Sequence, residues 1–308
     1  MNVIRTEQIT KRYGRQTAVD GVDLKVPEGK VFALMGRNGA GKTSLIRMLL
    51  GLTPISGGRA EVLGLDSAKK SVEVRARVGY VPEAHHMYRW MTVAEIVRFT
   101  AAFYPTWNDA LCAELLRKFN LDPAKRIKEL SRGMVAKTAL TLALAHEPRL
   151  LILDEPTDGL DAVVRKEFLE SIVSVAADEG RTVVISSHLL QDVERVADRV
   201  ALMDGSRLRF VEDTESLKER VREVKLTFAG DAPELPVAED ANLAKDNTDL
   251  RKALPGLVSS RREKHEWLLV LDNHGPGTMA ELAARFPGAR IETRGMTLED
   301  IFVALVGS

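Results

Sequence analysis

A glycine-rich stretch that ends in lysine and threonine is the clearest chemical feature of the sequence. Residues 36–43, GRNGAGKT, fit the pattern G-x-x-x-x-G-K-[ST] between an apolar run and a helical pattern. The glycines let the backbone curl so that its N–H groups point at phosphate oxygens, and the following helix adds its positive N-terminal end. Lys42 is expected to reach the β- and γ-phosphates of a nucleotide, and the Thr43 hydroxyl to ligate Mg²⁺. The alternative is an ordinary glycine-rich turn before a helix.

Two adjacent carboxylates end an apolar run later in the chain. The run LLILD, residues 150–154, has the character of a buried strand, and Asp154 and Glu155 stand at its end. Beside a phosphate-binding loop, Asp154 can hold Mg²⁺ directly or through water, and Glu155 can orient or deprotonate an attacking water. Taken alone, the pair could equally be a solvated strand end. Together with residues 36–43, it predicts a site that hydrolyses a nucleotide.

The elements that must position these residues alternate between strands and helices. Continuous apolar runs, as expected of strands buried on both faces, occur at 31–35, 150–154, 182–186 and 199–203. Helical patterns lie between them, at 42–50, 162–177 and 189–197. This alternation predicts an α/β domain with a mainly parallel sheet.

Two further regions are attached to this pattern. Short strands at 1–9 and 22–26 are expected to form an N-terminal antiparallel β subdomain. Between about 84 and 147 the pattern is mostly helical, with helices predicted at 92–103, 109–119 and 133–146. We expect this part to be a helical insertion, and we place the end of the domain at residue 215.

The sequence changes character after residue 215. Residues 229–256 are rich in Ala, Asp, Glu, Pro and Asn and show weak periodicity, whereas KERVREVK, 218–225, is interpreted as a solvated helix face or linker. Strands are predicted at 222–228, 257–262, 266–272 and 289–293, and helices at 277–286 and 297–306. Residues 216–308 are therefore expected to form a small accessory α+β domain.

Composition and charge exclude some classes of protein. The chain has 308 residues, 45% of them hydrophobic, and its 44 Lys and Arg balance its 44 Asp and Glu. This composition excludes general disorder, and the absence of a basic excess argues against nucleic acid as a partner. No apolar stretch approaches the roughly 20 residues of a membrane span, and no apolar segment of a secretory signal follows Met1. A single cysteine, Cys112, excludes an internal disulfide.

The order of several motifs over residues 1–215 resembles the nucleotide-binding subunit of an ATP-binding cassette (ABC) transporter. The sequence LSRGM (130–134) precedes LLILDE and stands at the position of the LSGGQ signature, which separates these ATPases from kinases and GTPases. TDGLDA (157–162) matches the D-loop of the family, and the last residue of SSH (186–188) its switch histidine. The resemblance implies the ABC fold of a P-loop ATPase.

The resemblance also implies roles for individual residues. Glu155 is expected to act on water, Lys42 to balance developing charge, His188 to hold the γ-phosphate, and Glu83 to assist from the Q-loop position. Mg²⁺ is expected at Thr43, Asp154 and Glu83. ATP is expected to contact Tyr13, which would stack on the adenine, and Ser131 and Gly133 of the opposite subunit. The remaining expected contacts are in and next to the phosphate loop, namely Gly36, Arg37, Asn38, Gly39, Ala40, Gly41, Lys42, Thr43 and Ser44.

Three residues depart from the family pattern. Glu83 replaces a glutamine and can accept from water or meet Mg²⁺, but it cannot donate when ionised. Arg132 replaces a glycine and either adds positive charge near the phosphate or points to solvent, and Met134 replaces a glutamine. Together with AAFYPTWN (101–108) and TLEDIFVAL (297–305), these variants resemble the export-type branch of the family.

Some of these residues also have purely structural interpretations. Tyr13 could be a strand aromatic that packs on a neighbour, and His188 could be a structural histidine after an apolar strand. Asp161 could cap the helix that starts near residue 162, lie at a dimer interface, or do both. The Met- and aromatic-rich segment 84–92 is either a docking groove for a membrane partner or part of the core of the helical insertion.

The resulting hypothesis is an ATPase that works as a homodimer or heterodimer and closes around two MgATP. It would drive a separate permease from the cytoplasmic face of the cell membrane, as a peripheral protein and with export as the direction. The alternative is an ABC ATPase without a permease that acts on ribosomes or nucleic acid, although the neutral charge favours no nucleic-acid partner. Residues 216–308 could regulate the ATPase rate or serve as a dimerisation platform.

Overall fold

The computed structural model describes residues 1–178, 180–233, 254, 256–273 and 275–306. The chain divides into two compact units, Met1–Glu212 and Asp213–Ser308. No helix in the described ranges is both long enough and apolar enough to cross a membrane.

The first unit contains both strands and helices. The strands are β1 (Asn2–Tyr13), β2 (Gln16–Val22), β3 (Lys25–Pro27), β4 (Val31–Met35), β5 (Gly57–Val62), β6 (Leu65–Asp66), β7 (Val78–Val81), β8 (Leu150–Asp154), β9 (Thr182–Ser187), β10 (Arg199–Asp204) and β11 (Arg207–Asp213). The helices are α1 (Lys42–Leu49), α2 (Ser71–Arg77), α3 (Val93–Ala101), α4 (Asp109–Lys118), α5 (Arg132–Leu144), α6 (Ala162–Asp178) and α7 (Leu190–Glu194), with a 3₁₀ turn at Ile127–Glu129.

A six-stranded sheet forms the centre of this unit. Its order is β11-β10-β4-β9-β8-β7, and β10, β4, β9, β8 and β7 pair in parallel. Every residue of β4 and β8 is buried, which explains why both are continuous apolar runs. The predicted α/β class with a mainly parallel sheet is therefore confirmed.

The N-terminal strands form a second, antiparallel sheet. Its order is β2-β1-β5-β6, and β3 also pairs with β1. Apolar residues of this sheet share one core with α1, whose Leu45, Ile46, Met48 and Leu49 are almost completely buried. Because α1 is packed on several sides, the loop before it is fixed relative to both sheets.

Helices α3, α4 and α5 form the predicted helical insertion, and each begins at a side-chain cap. Thr92 and Glu95 make a capping box at α3, Asn108 caps α4, and Ser131 caps α5. A small cluster of Val93, Ile96 and Ile127, with Met87 against it, packs these elements together.

The second unit is an antiparallel sheet with helices. Its strands are β12 (Val221–Thr227), β13 (Leu257–Glu263), β14 (Glu266–Asp272) and β15 (Arg290–Gly295), in the order β13-β14-β12-β15. Its described helices are α8 (Thr214–Arg220), α9 (Pro276–Arg285) and α10 (Leu298–Val306). Alternate residues of β12 and β14 are buried in a core with Leu282 and Phe286, as expected of a sheet packed on one face. Most of the weakly periodic segment 229–256 lies outside the described residues.

Several local predictions are wrong. The cluster at 218–225 is not one solvated helix face or linker, because α8 ends at Arg220 and β12 begins at Val221, with Val221 and Val224 buried. The strand predicted at 22–26 is two strands that end and begin on either side of Asp23 and Leu24. Helix α7 ends at Glu194, before the predicted end at residue 197.

Candidate nucleotide-binding and hydrolysis site

The carboxyl ends of three neighbouring parallel strands bring the candidate residues together. Strand β4 lies beside β9, and β9 beside β8, so that Met35 pairs with Ser187 and Asp154 with Ser186. The loop that follows β4 is the glycine-rich stretch, and His188 directly follows β9. The carboxyl edge of a parallel sheet is where ligands bind in open α/β folds.

The glycine-rich loop, residues 36–41, can take its path only because some positions lack a side chain. Gly41 has φ +103°, and a Cβ there would lie 2.2 Å from the Ala18 carbonyl oxygen. A Cβ at Gly36 would lie 2.4 Å from the Met203 carbonyl oxygen. The loop therefore packs directly on backbone and leads into α1 at Lys42, which leaves the helix N-terminus facing the cleft.

Lys42 is held inside the site. Only 5% of its side chain is exposed, and Nζ donates to the Gly36 carbonyl oxygen at 2.7 Å. The same Nζ lies 3.0 Å from Oε1 of Glu155, whose side chain is 8% exposed. A buried ammonium needs such a partner, because desolvation of an unpaired charge is costly.

Glu155 connects Lys42 with His188. Its Oε2 lies 2.8 Å from Nδ1 of His188 and accepts from the His188 backbone N–H at 3.2 Å. Glu155 has φ +45°, a left-handed conformation that is unfavourable for a residue with a side chain. Its backbone N–H donates to Oγ of Ser186 at 2.9 Å, which helps to hold this conformation.

Asp154 and Thr43 form the second half of the site. Oδ1 of Asp154 accepts from the Thr43 hydroxyl at 3.1 Å and from the Ser186 hydroxyl at 2.7 Å. Oδ2 of Asp154 is buried and has no hydrogen-bond partner among the described residues. Burial raises the pKa of Asp154 above its ordinary value, whereas the hydrogen bonds from Ser186 and Thr43 act in the opposite direction. A carboxylate oxygen without a hydrogen-bond partner, next to a hydroxyl group, is a suitable ligand for a hard cation such as Mg²⁺.

A cleft of about 460 Å³ opens over these groups. Its walls are formed by the glycine-rich loop, the start of α1, the ends of β1 and β2 that face each other, and two carboxylates. The lining residues are Tyr13, Gln16, Ala18, Asn38, Gly39, Ala40, Gly41, Lys42, Thr43, Ser44, Glu83 and Glu155. Glu83 is exposed at the rim. Eight of the twelve predicted nucleotide contacts line the cleft, whereas Gly36, Arg37, Ser131 and Gly133 do not. The size of the cleft suits a small-molecule ligand.

The Tyr13 side chain is not buried in a hydrophobic core. Its side chain is 48% exposed at the cleft, and Nζ of Lys11 lies 4.8 Å from the ring centroid. Lys11 is itself buried and donates to the Pro54 carbonyl oxygen at 2.7 Å. A cation at this distance is attracted to the face of an aromatic ring, and about half of the Tyr13 side chain remains exposed.

The signature segment does not belong to this cleft. Neither Ser131 nor Gly133 is among the lining residues. Ser131 accepts from the Met134 N–H and so caps α5, and a Cβ on Gly133 would lie 2.4 Å from Cγ1 of Val164. Arg132 is exposed, and its Nη1 donates to the Gly159 carbonyl oxygen at 3.4 Å, so it contacts the 157–162 segment of its own chain.

Sequence reasoning assigned no role to several residues that complete the site. Ser186 bridges Asp154 and the Glu155 backbone, and its only signal was its place in SSH. Gln16 and Ala18 line the cleft from β2, which was not predicted as a strand there. The capping role predicted for Asp161, in contrast, is confirmed, because its side chain accepts from the N–H groups of Val163 and Val164 at the start of α6.

A phosphate loop at a helix N-terminus, with two carboxylates at the carboxyl end of a nearby strand of the same parallel sheet, defines the class of P-loop nucleotide hydrolases. The family described as ABC transporter matches residues 19–158. A solved structure described as the ATP-binding subunit of an ABC transporter is 27% identical, covers 70% of this chain and 92% of its own, and has a TM-score of 0.64.

Two curated relatives support the same assignment. The bacitracin transport ATP-binding protein BcrA of Bacillus licheniformis is 36% identical over 71% of this chain and 72% of its own length. The daunorubicin resistance ATP-binding protein DrrA2 of Streptomyces coeruleorubidus is 33% identical over 99% of this chain and 95% of its own, so this similarity also includes the second unit. The chain belongs to the ATP-binding proteins of the ABC transporter family, and it is an ATPase of that family that binds nucleotide.

Proposed function

We propose that this chain binds MgATP in the cleft beside Tyr13 and hydrolyses it, as one half of an ATPase dimer that drives a separate membrane permease. The carrying observation is that Lys42, Glu155 and His188 form one connected group beside the Thr43–Asp154 pair. These are the charges that phosphoryl transfer to water requires, and they meet at the end of a phosphate loop.

Each group has a distinct part in the proposed reaction. Tyr13 stacks on the adenine, and the N–H groups of residues 36–41 bind the phosphates. Lys42 offsets the charge that develops on the transferred phosphoryl group. Glu155 orients the attacking water and accepts its proton, and His188, held through Nδ1 by Glu155, contacts the γ-phosphate.

The metal site is part of this proposal. Oδ2 of Asp154 and the Thr43 hydroxyl are the groups that would hold Mg²⁺, which supplies positive charge at the β- and γ-phosphates when bound. Glu83 lies on the rim of the same cleft and can accept from a water of the ion. Ser186 keeps Asp154 oriented because its hydroxyl occupies the other carboxylate oxygen.

Dimerisation is supported by the position of two signature residues relative to the cleft. Ser131 and Gly133 lie outside the residues that line it. In the proposed dimer, these two residues of one subunit close the ATP held by the other. Two MgATP would then lie between the subunits of a homodimer or a heterodimer, and loss of the γ-phosphate would allow them to separate.

The helical insertion offers a surface for the permease. Tyr88, Trp90, Phe99 and Phe103 are 42–66% exposed. The Tyr88 ring lies 6.0 Å from the Trp90 ring and 5.6 Å from the Phe99 ring, and the Phe99 ring lies 5.3 Å from the Phe103 ring, measured between centroids. Met87, in contrast, packs on the small core of the insertion, so segment 84–92 combines core packing with an exposed aromatic surface. Such a surface suits an apolar protein partner, and we propose a cytoplasmic helix of the permease.

Export as the direction of transport is supported by the relatives. One is described as a bacitracin transport protein, one as a daunorubicin resistance protein, and another as a Nod factor export protein. The proposed location is accordingly the cytoplasmic face of the cell membrane, with the chain bound peripherally through its permease. Residues 216–308 are proposed as an accessory domain that regulates the ATPase or supports dimerisation.

The substitution Glu155→Gln tests the hydrolytic assignment. It keeps the shape of the side chain but removes the base, so we expect ATP turnover to fall about 100-fold or more while ATP binding persists. Phosphate release and equilibrium binding of ATP are measured on the full chain, and the ATP-bound variant is expected to accumulate as a dimer in size-exclusion chromatography. Glu114→Gln, an exposed change on α4, serves as the matched control. Wild-type turnover in Glu155→Gln would contradict the assignment.

A further inference from the structure

A buried carboxylate outside the cleft joins two loops that flank the reaction site. Asp192 lies on α7, four residues after His188, and is 7% exposed. The loop between β8 and α6, residues 156–161, begins directly after Glu155. Sequence reasoning gave Asp192 no role, since an aspartate early in a short helix is expected on the surface.

The partners of Asp192 come from this loop and from the helix that follows it. Oδ2 of Asp192 accepts from the Thr157 hydroxyl at 3.1 Å and lies 3.7 Å from Nε of Arg165. Arg165 in turn donates from Nη2 to the Leu160 carbonyl oxygen at 3.2 Å. Asp192 is thus connected with both the beginning and the end of the 156–161 loop.

On its other side, Asp192 is joined to the segment that carries His188. The Asp192 N–H donates to the Leu189 carbonyl oxygen at 3.2 Å, and the Leu189 N–H donates to Oγ of Ser187 at 2.9 Å. The His188 ring and backbone both contact Glu155. The chain around His188 therefore cannot shift far without moving Asp192.

Because the Asp192 carboxylate is buried, the loss of its hydrogen-bond and ion-pair partners would be costly. Desolvation raises the pKa of Asp192, while Arg165 and Thr157 act in the opposite direction. A buried carboxylate that loses its donors is strongly destabilised, so Asp192 favours the arrangement in which the 156–161 loop is held against α7.

We propose that Asp192 is a positioning residue, which fixes the 156–161 loop relative to His188 and Glu155 and so sets the geometry of hydrolysis. This inference rests on the proposed function of the site. Asp192 touches no reacting group itself. Its effect should appear in the rate of the chemical step and not in the affinity for ATP, because neither Asp192 nor Thr157 lines the cleft.

Thr157→Val is the sharpest test, because it keeps the shape of the side chain and removes only the donor. We expect kcat to fall about 10-fold or more, with the dissociation constant for ATP changed less than about twofold. Thr157→Ser, which restores the hydroxyl, is expected to recover most of kcat. Thr141→Val makes the same change at a buried threonine of α5, whose hydroxyl donates to the Lys137 carbonyl oxygen, and should leave kcat near that of the wild type.

A double-mutant cycle shows whether the effect passes through Asp192. Asp192→Leu combined with Thr157→Val should reduce kcat no further than Asp192→Leu alone, and additive losses would overturn the proposal. A Thr157→Val variant that unfolds at a lower temperature but keeps the wild-type kcat would also overturn it. If the wild type hydrolyses ATP and Glu155→Gln does not, the proposed function stands whatever the Thr157 variants show. A wild-type chain without ATPase activity would overturn both the proposed function and the positioning role of Asp192.

Discussion

Acid should destabilise the first unit through one buried histidine. His146 follows α5 and is 2% exposed, and its ring stacks on Tyr104 at a centroid distance of 4.1 Å and an interplanar angle of 21°. The Thr106 hydroxyl donates to its backbone carbonyl oxygen. Burial lowers the pKa of His146 from 6.5 to about 4, while backbone contacts with Val78 and Leu142 act in the opposite direction.

The sign of the effect follows from where the proton binds. Above pH 6.5 the imidazole is neutral in both the folded and the unfolded chain, so it adds no pH dependence. Between pH 6.5 and about 4, the unfolded chain binds a proton that the folded chain does not, so the free energy of unfolding falls as the pH falls. At 1.36 kcal/mol per pKa unit, the loss over this interval is about 3 kcal/mol. This is a large part of the 5–15 kcal/mol typical of a folded domain.

The variant His146→Phe isolates this contribution. It keeps an aromatic ring to stack on Tyr104 and cannot bind a proton, so the free energy of its unfolding should fall about 3 kcal/mol less than that of the wild type between pH 6.5 and 4. Urea unfolding at several pH values, followed by the fluorescence of Trp90 and Trp107 in the first unit, measures the difference. Only the change with pH is compared, because the substitution also alters packing at neutral pH.

An exposed histidine provides the control. His86 lies on the surface of the first unit, and the stability of His86→Gln is measured over the same pH range as that of His146→Phe. Parallel curves of stability against pH for the wild type and His146→Phe would refute the reasoning, since they would mean that His146 binds its proton equally well in the folded chain.

Two further predictions concern the signature helix and the aromatic surface. Gly133→Ala should destabilise the first unit by about 1–3 kcal/mol, because its Cβ would lie 2.4 Å from Cγ1 of Val164, and Val164→Ala in the same chain should recover part of the loss in thermal unfolding. Equal midpoints for wild type and Gly133→Ala would contradict this packing argument. Trp90→Ala with Phe103→Ala should abolish co-purification of a membrane partner from detergent extracts while ATP binding persists, whereas Val72→Ala, also at an exposed apolar residue, should not. Undiminished co-purification would reject the aromatic surface as the docking site.

The sequence predicted the apolar strands β4 and β8 better than the strands of the N-terminal antiparallel sheet. Strands β4 and β8 are apolar except for Asp154 at the end of β8, and both were predicted with their observed bounds. Strand β5, GGRAEV, was missed because only its last part is buried and Gly58 takes φ +75°. The cluster at 218–225 was misinterpreted because its charges suggested a solvated surface, although Val221 and Val224 between them are buried.

The site was predictable where chemistry depends on residue type and order. Lys42, Thr43, Asp154 and Glu155 were identified from two motifs, and His188 from its place after β9. Ser186 and Asp192 were not, because a serine or an aspartate gains its role from burial and from partners that are distant in sequence. For Arg132 the sequence predicted either a position near the phosphate or exposure to solvent, and its contact with Gly159 was not predicted, because that contact depends on how α5 packs against α6.

The contacts of Glu155 link the strain at this residue with the proposed reaction. A left-handed backbone at a non-glycine residue costs about 1 kcal/mol or more and persists only where the surroundings hold it. At Glu155 these surroundings are Ser186 on the backbone and Lys42 and His188 on the carboxylate. In the proposed mechanism, Lys42 and His188 are also the groups that the γ-phosphate contacts. Phosphate binding would therefore draw both partners away from the carboxylate and leave it free to accept a proton from water, so that the base becomes active only when its substrate is in place.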